Sequence, residues 1–164
     1  MLILNQKQIR QKTKRLAIQI LERNYGVDEI YLAGINNNGL SFAKSLGLYM
    51  KRNTDIPIHY LQVRVNAADP IAEEVLINID KDKLKGKTIV LVDDVANTGR
   101  TLFFGFKPLL ETLPEKIEIA VLVDRKHKNY PIHSNYVGLS LATTIGEHIE
   151  VQLKNVDEKS VHLV

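Results

Sequence analysis

Cysteine is absent from all 164 residues. That excludes disulfides, a thiolate nucleophile and any cysteine-built zinc site, and makes a reducing cytoplasm the expected location. The histidines His59, His127, His133, His148 and His162 have no metal-ligand spacing and read as structural or surface residues. No apolar run reaches the length of a membrane span, and the amino terminus lacks the basic and apolar regions of an export signal. Charge of one sign is also lacking: 22 Lys and Arg stand against 19 acids, a net +3 too mild to argue for nucleic acid. A G-x-G-x-x-G motif is missing altogether. Gly34 and Gly39 have the glycine spacing of a P-loop, but Leu40-Ser41 occupies the place where Lys-Ser/Thr is required.

What remains is 45% hydrophobic and 25% charged, an ordinary globular composition at a length suited to one core. No repeats or linkers divide the chain, so residues 1–164 read as a single domain. Ile9, Leu16, Ala17, Ile20 and Leu21 recur at helical spacing and predict a helix from about Lys7 to Arg23. Its Lys7, Arg10 and Lys14 stripe reads as a solvated face. Ile30 to Ala33 reads as a buried strand, Asn36 to Gly39 as turn chemistry, and about Leu40 to Lys51 as a second helix. A strand at Ile58 to Val65 precedes an irregular stretch, residues 66–86, with one strand-like piece at Val75 to Ile79. The central strand, 88–92, leads to a third helix at about Arg100 to Leu113, which Pro108 should kink or split. Ile117 to Val123 follows, and the tail after Pro131 reads as short strands at 136–137, 149–153 and 161–164. Alternating strands and helices predict an α/β fold, a mainly parallel twisted sheet flanked by helices, with ligands beyond the carboxyl ends of the strands.

The most informative segment runs from Thr88 to Thr101. An apolar strand ends in Asp93 and Asp94, and then Val95, Ala96, Asn97, Thr98, Gly99, Arg100 and Thr101 open a helix. Adjacent carboxylates accept strong hydrogen bonds from neighbouring hydroxyls. Amides and threonine hydroxyls at a helix amino terminus suit a phosphate. The pattern fits a phosphorylated sugar held at both ends.

This run resembles the phosphoribosyl pyrophosphate signature of type I phosphoribosyltransferases. Further along, Ala120 to Arg125, His127, Pro131-Ile132, Tyr136-Val137-Gly138 and Val151-Gln152-Leu153 are similar to the pyrimidine operon attenuator family, whose members double as uracil phosphoribosyltransferases. Leu21 to Asn24 and Ala33-Gly34-Ile35 fit as well, so the resemblance spans nearly the entire chain. It implies the type I fold with a small hood of short strands, and transfer of ribose 5-phosphate from phosphoribosyl pyrophosphate to a nucleobase, uracil foremost. It also implies Mg²⁺ bound mainly through substrate, with no metal ligands of the protein's own, and a homodimer or tetramer. Asp93, Asp94 and Asn97 would be the catalytic group, with residues 93–101 binding the phosphoribosyl moiety. Ile35, Asn36, Asn37, Asn38 and Gly39 would form the pyrophosphate loop, Arg64 would serve the flexible loop, and Val123, Asp124 and Arg125 would line the base pocket.

The sequence departs from the family at several positions. Asn38 and Ala67 stand where the pattern has arginine, and loss of a transition-state donor costs roughly 10²–10³ in rate. Weakened turnover, or a non-catalytic nucleotide sensor, follows as the alternative. Ile18 replaces a histidine and Leu139 a lysine expected for attenuation, which lowers the expectation of RNA binding while Arg15 is retained. Asn97 matches neither the Asp of purine enzymes nor the aromatic of pyrimidine attenuators, leaving the acceptor base open.

Overall fold

The computed structural model describes residues 1–164. Its centre is a six-stranded sheet in the order β4-β3-β2-β5-β6-β7. The strands are β2 (Ile30–Ile35), β3 (Ile58–Arg64), β4 (Leu76–Ile77), β5 (Thr88–Ala96), β6 (Lys116–Arg125) and β7 (Tyr136–Leu141). All pairings are parallel except β3 with β4. Every residue of β2 is buried, and residues 88–93 of β5 likewise, as expected for strands covered on both faces.

Helices α1 (Gln6–Arg23) and α2 (Asn36–Lys51) cover one face, and α3 (Arg100–Leu110) covers the other. A capping box starts α1: the Asn5 side chain accepts from the Gln8 amide at 2.9 Å, and the Gln8 side chain accepts from the Asn5 amide at 2.9 Å. Leu16, Ala17 and Ile20 of α1 then meet Phe42, Leu46 and Met50 of α2 in one core cluster. Gly39 lets α2 approach β5 closely, because a Cβ there would stand 2.5 Å from the Val92 carbonyl oxygen. Gly34 and Gly39 are therefore packing glycines.

Three differences from the sequence expectations stand out. Residues 36–39 form the first turn of α2 rather than a free turn, with Asn36 in the left-handed region at φ 50°. Residues 136–141 belong to the main sheet as β7, parallel to β6. The hood is instead a separate antiparallel sheet, β1-β9-β8, whose β1 (Leu2–Leu4) comes from the amino terminus and whose β8 (Ile149–Gln152) and β9 (Ser160–Leu163) form a hairpin. Pro108 sits inside α3 without splitting it, and the helix stops at Leu110. No helix is long and apolar enough to cross a membrane.

Candidate active site

Strand β5 carries its apolar run through Val92 and continues, so Asp93 and Asp94 lie in the strand and emerge at the carboxyl edge of the sheet. The two carboxylates point into different surroundings. Asp93 is buried, and its Oδ1 accepts the Asp94 amide at 2.9 Å. Burial, reinforced by the neighbouring Asp94 charge, pushes the Asp93 carboxyl well above the usual carboxylate range. Asp94 is half-buried; its Oδ1 accepts the Val95 amide at 2.9 Å, and its Oδ2 accepts from Asn38 Nδ2 at 3.0 Å. No ammonium or guanidinium is paired with either acid.

Beyond Ala96 the chain turns through residues 97–99 into α3. Gly99 is the residue that makes this possible: it adopts φ 86°, a conformation open mainly to glycine, and the Thr98 hydroxyl oxygen just before it accepts the Arg100 amide at 3.3 Å. The Thr98 carbonyl accepts from the Asn129 and Tyr130 amides at 2.9 and 3.1 Å, which holds the turn against the segment after β6. The first amides of a helix have no intrahelical acceptor, so beyond the Arg100 amide this terminus offers donors and partial positive charge outward. A small concavity of about 50 Å³ is lined by Asn97, Thr98, Gly99, Arg100 and Thr101. Next to it lies a cleft of about 410 Å³. Asp93, Val95, Asn97 and Thr101 face both, so the acids and the helix start share one continuous surface.

The remaining expected residues fall into distinct places. Ile35, Asn36, Asn37 and Asn38 line the larger cleft opposite the acids, joined by Ala67 and by Ile149 of the hood. Gly39 is buried against β5. Asn36 is committed to structure: its Nδ2 donates to the Val65 carbonyl and its Oδ1 accepts the Val65 amide, both at 2.9 Å. Arg64 is exposed and lies outside that cleft; it lines a neighbouring polar recess with Gln62, Glu73 and Glu74, which shares Asn36 and Asn37 with the cleft. Val123 is fully buried in the core, so only its backbone faces the edge. Asp124 is paired with Lys128 at 2.8 Å. Arg125 donates to the Thr143 hydroxyl and, at 2.9 Å, to the Thr144 carbonyl.

The residues 2–155 match the phosphoribosyl transferase domain family. The chain belongs to the type I phosphoribosyltransferases. Bifunctional protein PyrR of Brevibacillus brevis is 36% identical over 162 residues, covering 94% of this chain and 90% of that one. The same-named proteins of Pediococcus pentosaceus and Clostridium beijerinckii are 34% and 35% identical and cover 92% and 98% of this chain, with 90% and 95% of their own lengths matched. This phosphoribosyltransferase therefore sits in the PyrR group. Among solved structures, a hypoxanthine-guanine phosphoribosyltransferase from Bacillus anthracis matches with TM-score 0.71 at 21% identity, covering 86% of this chain and 82% of that one, a likeness of fold.

Several contacts at the edge of this phosphoribosyltransferase were not visible in the sequence. The pairing of Asn38 with Asp94 joins residues 56 apart, and Ile149 enters the cleft from the hood. Lys128 is the third: besides Asp124 it donates to the Ala96 carbonyl at 3.3 Å and to the Arg125 carbonyl, bracing the ends of β5 and β6. Only the amphipathic alternation of 149–153 hinted at one of these.

Proposed function

We propose that this phosphoribosyltransferase moves ribose 5-phosphate from phosphoribosyl pyrophosphate to a pyrimidine base, uracil first among them. The observation that carries the reading is the surface shared by the acid pair and the start of α3. A ring nitrogen of the base forms a bond to C1 of the ribose while the C1–O bond breaks. Pyrophosphate leaves with that electron pair, and the ring N–H proton passes to solvent. Asp93 and Asp94 hold the ribose hydroxyls, and amides and hydroxyls of residues 97–101 hold the 5′-phosphate. The start of α2 faces the pyrophosphate, and backbone at 123–125 with Ile149 bounds the base. Positioning and electrostatic stabilisation supply the rate, with no covalent protein intermediate.

No group of three or more His, Cys, Asp or Glu residues is placed to hold a metal. The cleft offers hard oxygen donors at Asp94, Asn97 and Thr101, which suits Mg²⁺ held chiefly by substrate oxygens. When bound, the ion neutralises charge on the departing pyrophosphate. Uracil rests on the resemblance of 120–153 to the pyrimidine attenuators and on the PyrR relatives. The test is turnover of labelled phosphoribosyl pyrophosphate with Mg²⁺ and a panel of bases. Formation of uridine monophosphate is expected. Silence with every base, together with unchanged ligand affinity in Asp93→Asn and Asp94→Asn, refutes the reading.

A specific observation favours a second reading, a nucleotide sensor without turnover: no Lys or Arg lines the larger cleft. Thermal stabilisation by nucleoside monophosphate without product would establish it. Messenger RNA binding is less favoured. Lys12 and Arg15 of α1 both donate to the Gly138 carbonyl, at 3.1 and 3.4 Å, and so are partly spent within the fold. A homodimer or tetramer is the proposed assembly, with exposed Phe103 and Leu110 of α3 as candidate contacts and sedimentation as the check.

A further inference from the structure

Away from the candidate active site, a hollow of about 310 Å³ lies where α1 and α2 meet the connection between β8 and β9. It shares no lining residue with the cleft or with the concavity at the start of α3. Its origin is a matter of side-chain size. Thr13 of α1 and Ser45 of α2 are small where Ile9, Phe42 and Tyr49 around them are large, and Leu153 and Val156 border the gap without filling it. Ile9, Phe42 and Leu153 are buried, whereas Leu48 and Val156 are 52% and 40% exposed, so apolar surface runs from the core out to solvent.

Charge stands beside that surface. The charged lining residues are Arg10, Lys159 and Asp157, a surplus of one positive charge. None of the three enters an ion pair within the protein. Lys159 Nζ reaches only the Ser45 hydroxyl, at 3.5 Å, while its backbone amide donates to Gln6 Oε1 at 3.0 Å and ties the connection to α1. Two unpaired cations next to the Phe42 and Tyr49 rings suit a flat ring that carries one negative charge. A dianion fits less well, because Asp157 would repel the second charge.

The hollow also shares a strand with the cleft. Ile149 opens β8 and lines the cleft; Leu153 follows directly on β8 and lines the hollow. Pairing with β9 from Ile149 opposite Leu163 to Gln152 opposite Ser160 stiffens the link between them.

We propose that this hollow is a second ligand site, for a small aromatic carboxylate, and that its occupation is passed along β8 to Ile149 in the cleft. Neither half rests on the phosphoribosyl reading, since binding is read at the hollow and transmission at Ile149 itself.

The probe is naphthalene-2-carboxylate, titrated into the full chain and followed by NMR. Saturable shifts are expected at the Ser45, Leu48 and Val156 amides, and a smaller saturable shift with the same midpoint at Ile149. The neutral naphthalene-2-carboxamide should bind about tenfold more weakly or worse. Arg10→Gln and Lys159→Gln, both at the surface, should each weaken binding by about three- to tenfold, the scale of one charged hydrogen bond. Asp157→Asn should tighten it by about twofold, the scale of one exposed charge pair. Ser45→Leu, which fills the gap, should abolish it while leaving Tm nearly unchanged. No saturable shift in the wild type, or equal binding by Ser45→Leu, overturns the site. Equal affinity for the carboxamide, or no change in either cation variant, overturns the carboxylate class. A silent Ile149 with the hollow filled overturns the transmission.

Discussion

The central sheet ends in acid on both edges, and the two edges treat their carboxylates in opposite ways. At the amino-terminal edge Glu29 is held by the Lys87 ammonium and by His59 Nε2 at 2.7 Å, with the His59 ring stacked on Tyr31 at 4.5 Å between centroids. Hydrogen bonding to Lys87 holds the Glu29 carboxyl below its ordinary range. At the carboxyl edge Asp93 and Asp94 have only amides and each other, and burial drives Asp93 upward. One edge is electrostatically complete, and the other is left wanting a partner. A carboxyl displaced in the unfavourable direction at a concave edge supports the phosphoribosyl site proposed above, whereas the satisfied triad is scaffolding.

Breaking the carboxyl edge should have the largest effect. Asp93→Asn and Asp94→Asn should each lower kcat/KM for phosphoribosyl transfer by about 10²-fold or more, measured in the base-panel assay. The same Asp93→Asn should raise Tm by a few degrees, read by calorimetry at neutral pH, since a buried acid beside another acid opposes folding. The pH dependence carries the sign. A carboxyl whose folded pKa is raised favours the native state fully below the unfolded value, and that contribution is lost as pH rises through the acidic range toward the folded value. The wild type should therefore lose stability relative to Asp93→Asn across that rise.

Restoring a cation should come next. Asn38→Arg places a guanidinium at the cleft wall facing Asp94, and turnover should rise by about tenfold or more if leaving-group charge is what limits the rate. A null result with ligand binding intact would favour the sensor. A steric change is smaller: Gly39→Ala drives a methyl toward the Val92 carbonyl and should cost about 1–3 kcal/mol in denaturant unfolding. Glu29→Gln is the mildest, about 0.2–1 kcal/mol for a partly exposed ion pair. Because the Glu29 pKa is lowered on folding, its contribution exists above the unfolded carboxylate value and fades as pH falls through the folded one. The gap between wild type and Glu29→Gln should close in acid.

The fold was largely legible because its periodic segments are long. The apolar spacing of 7–23 and the runs at 30–33, 88–92 and 117–123 name their own elements. Leu2–Leu4 is too short to show alternation, and its strand exists only because β9 lies beside it. Asn36 to Asn38 read as a turn because free asparagine favours one. Here side-chain bonds to Val65, Gln62 and Asp94 occupy those amides, and the helix starts early. Of the site, the contiguous 93–101 run could be read directly. Contacts made across the edge, such as Asn38 with Asp94 and Arg100 with Ala67, depend on topology that no local pattern encodes.

The paired bonds of Asn36 also set what evolution or a library can place there. Aspartate matches its outline yet would turn an oxygen toward the Val65 carbonyl where a donor is needed, and glutamine overshoots by a methylene. Alanine would be strained at the left-handed φ of 50° and would leave both peptide groups of Val65 without that partner. Saturation mutagenesis should find this position among the least forgiving on the cleft, for reasons of amide bipolarity and not of catalysis.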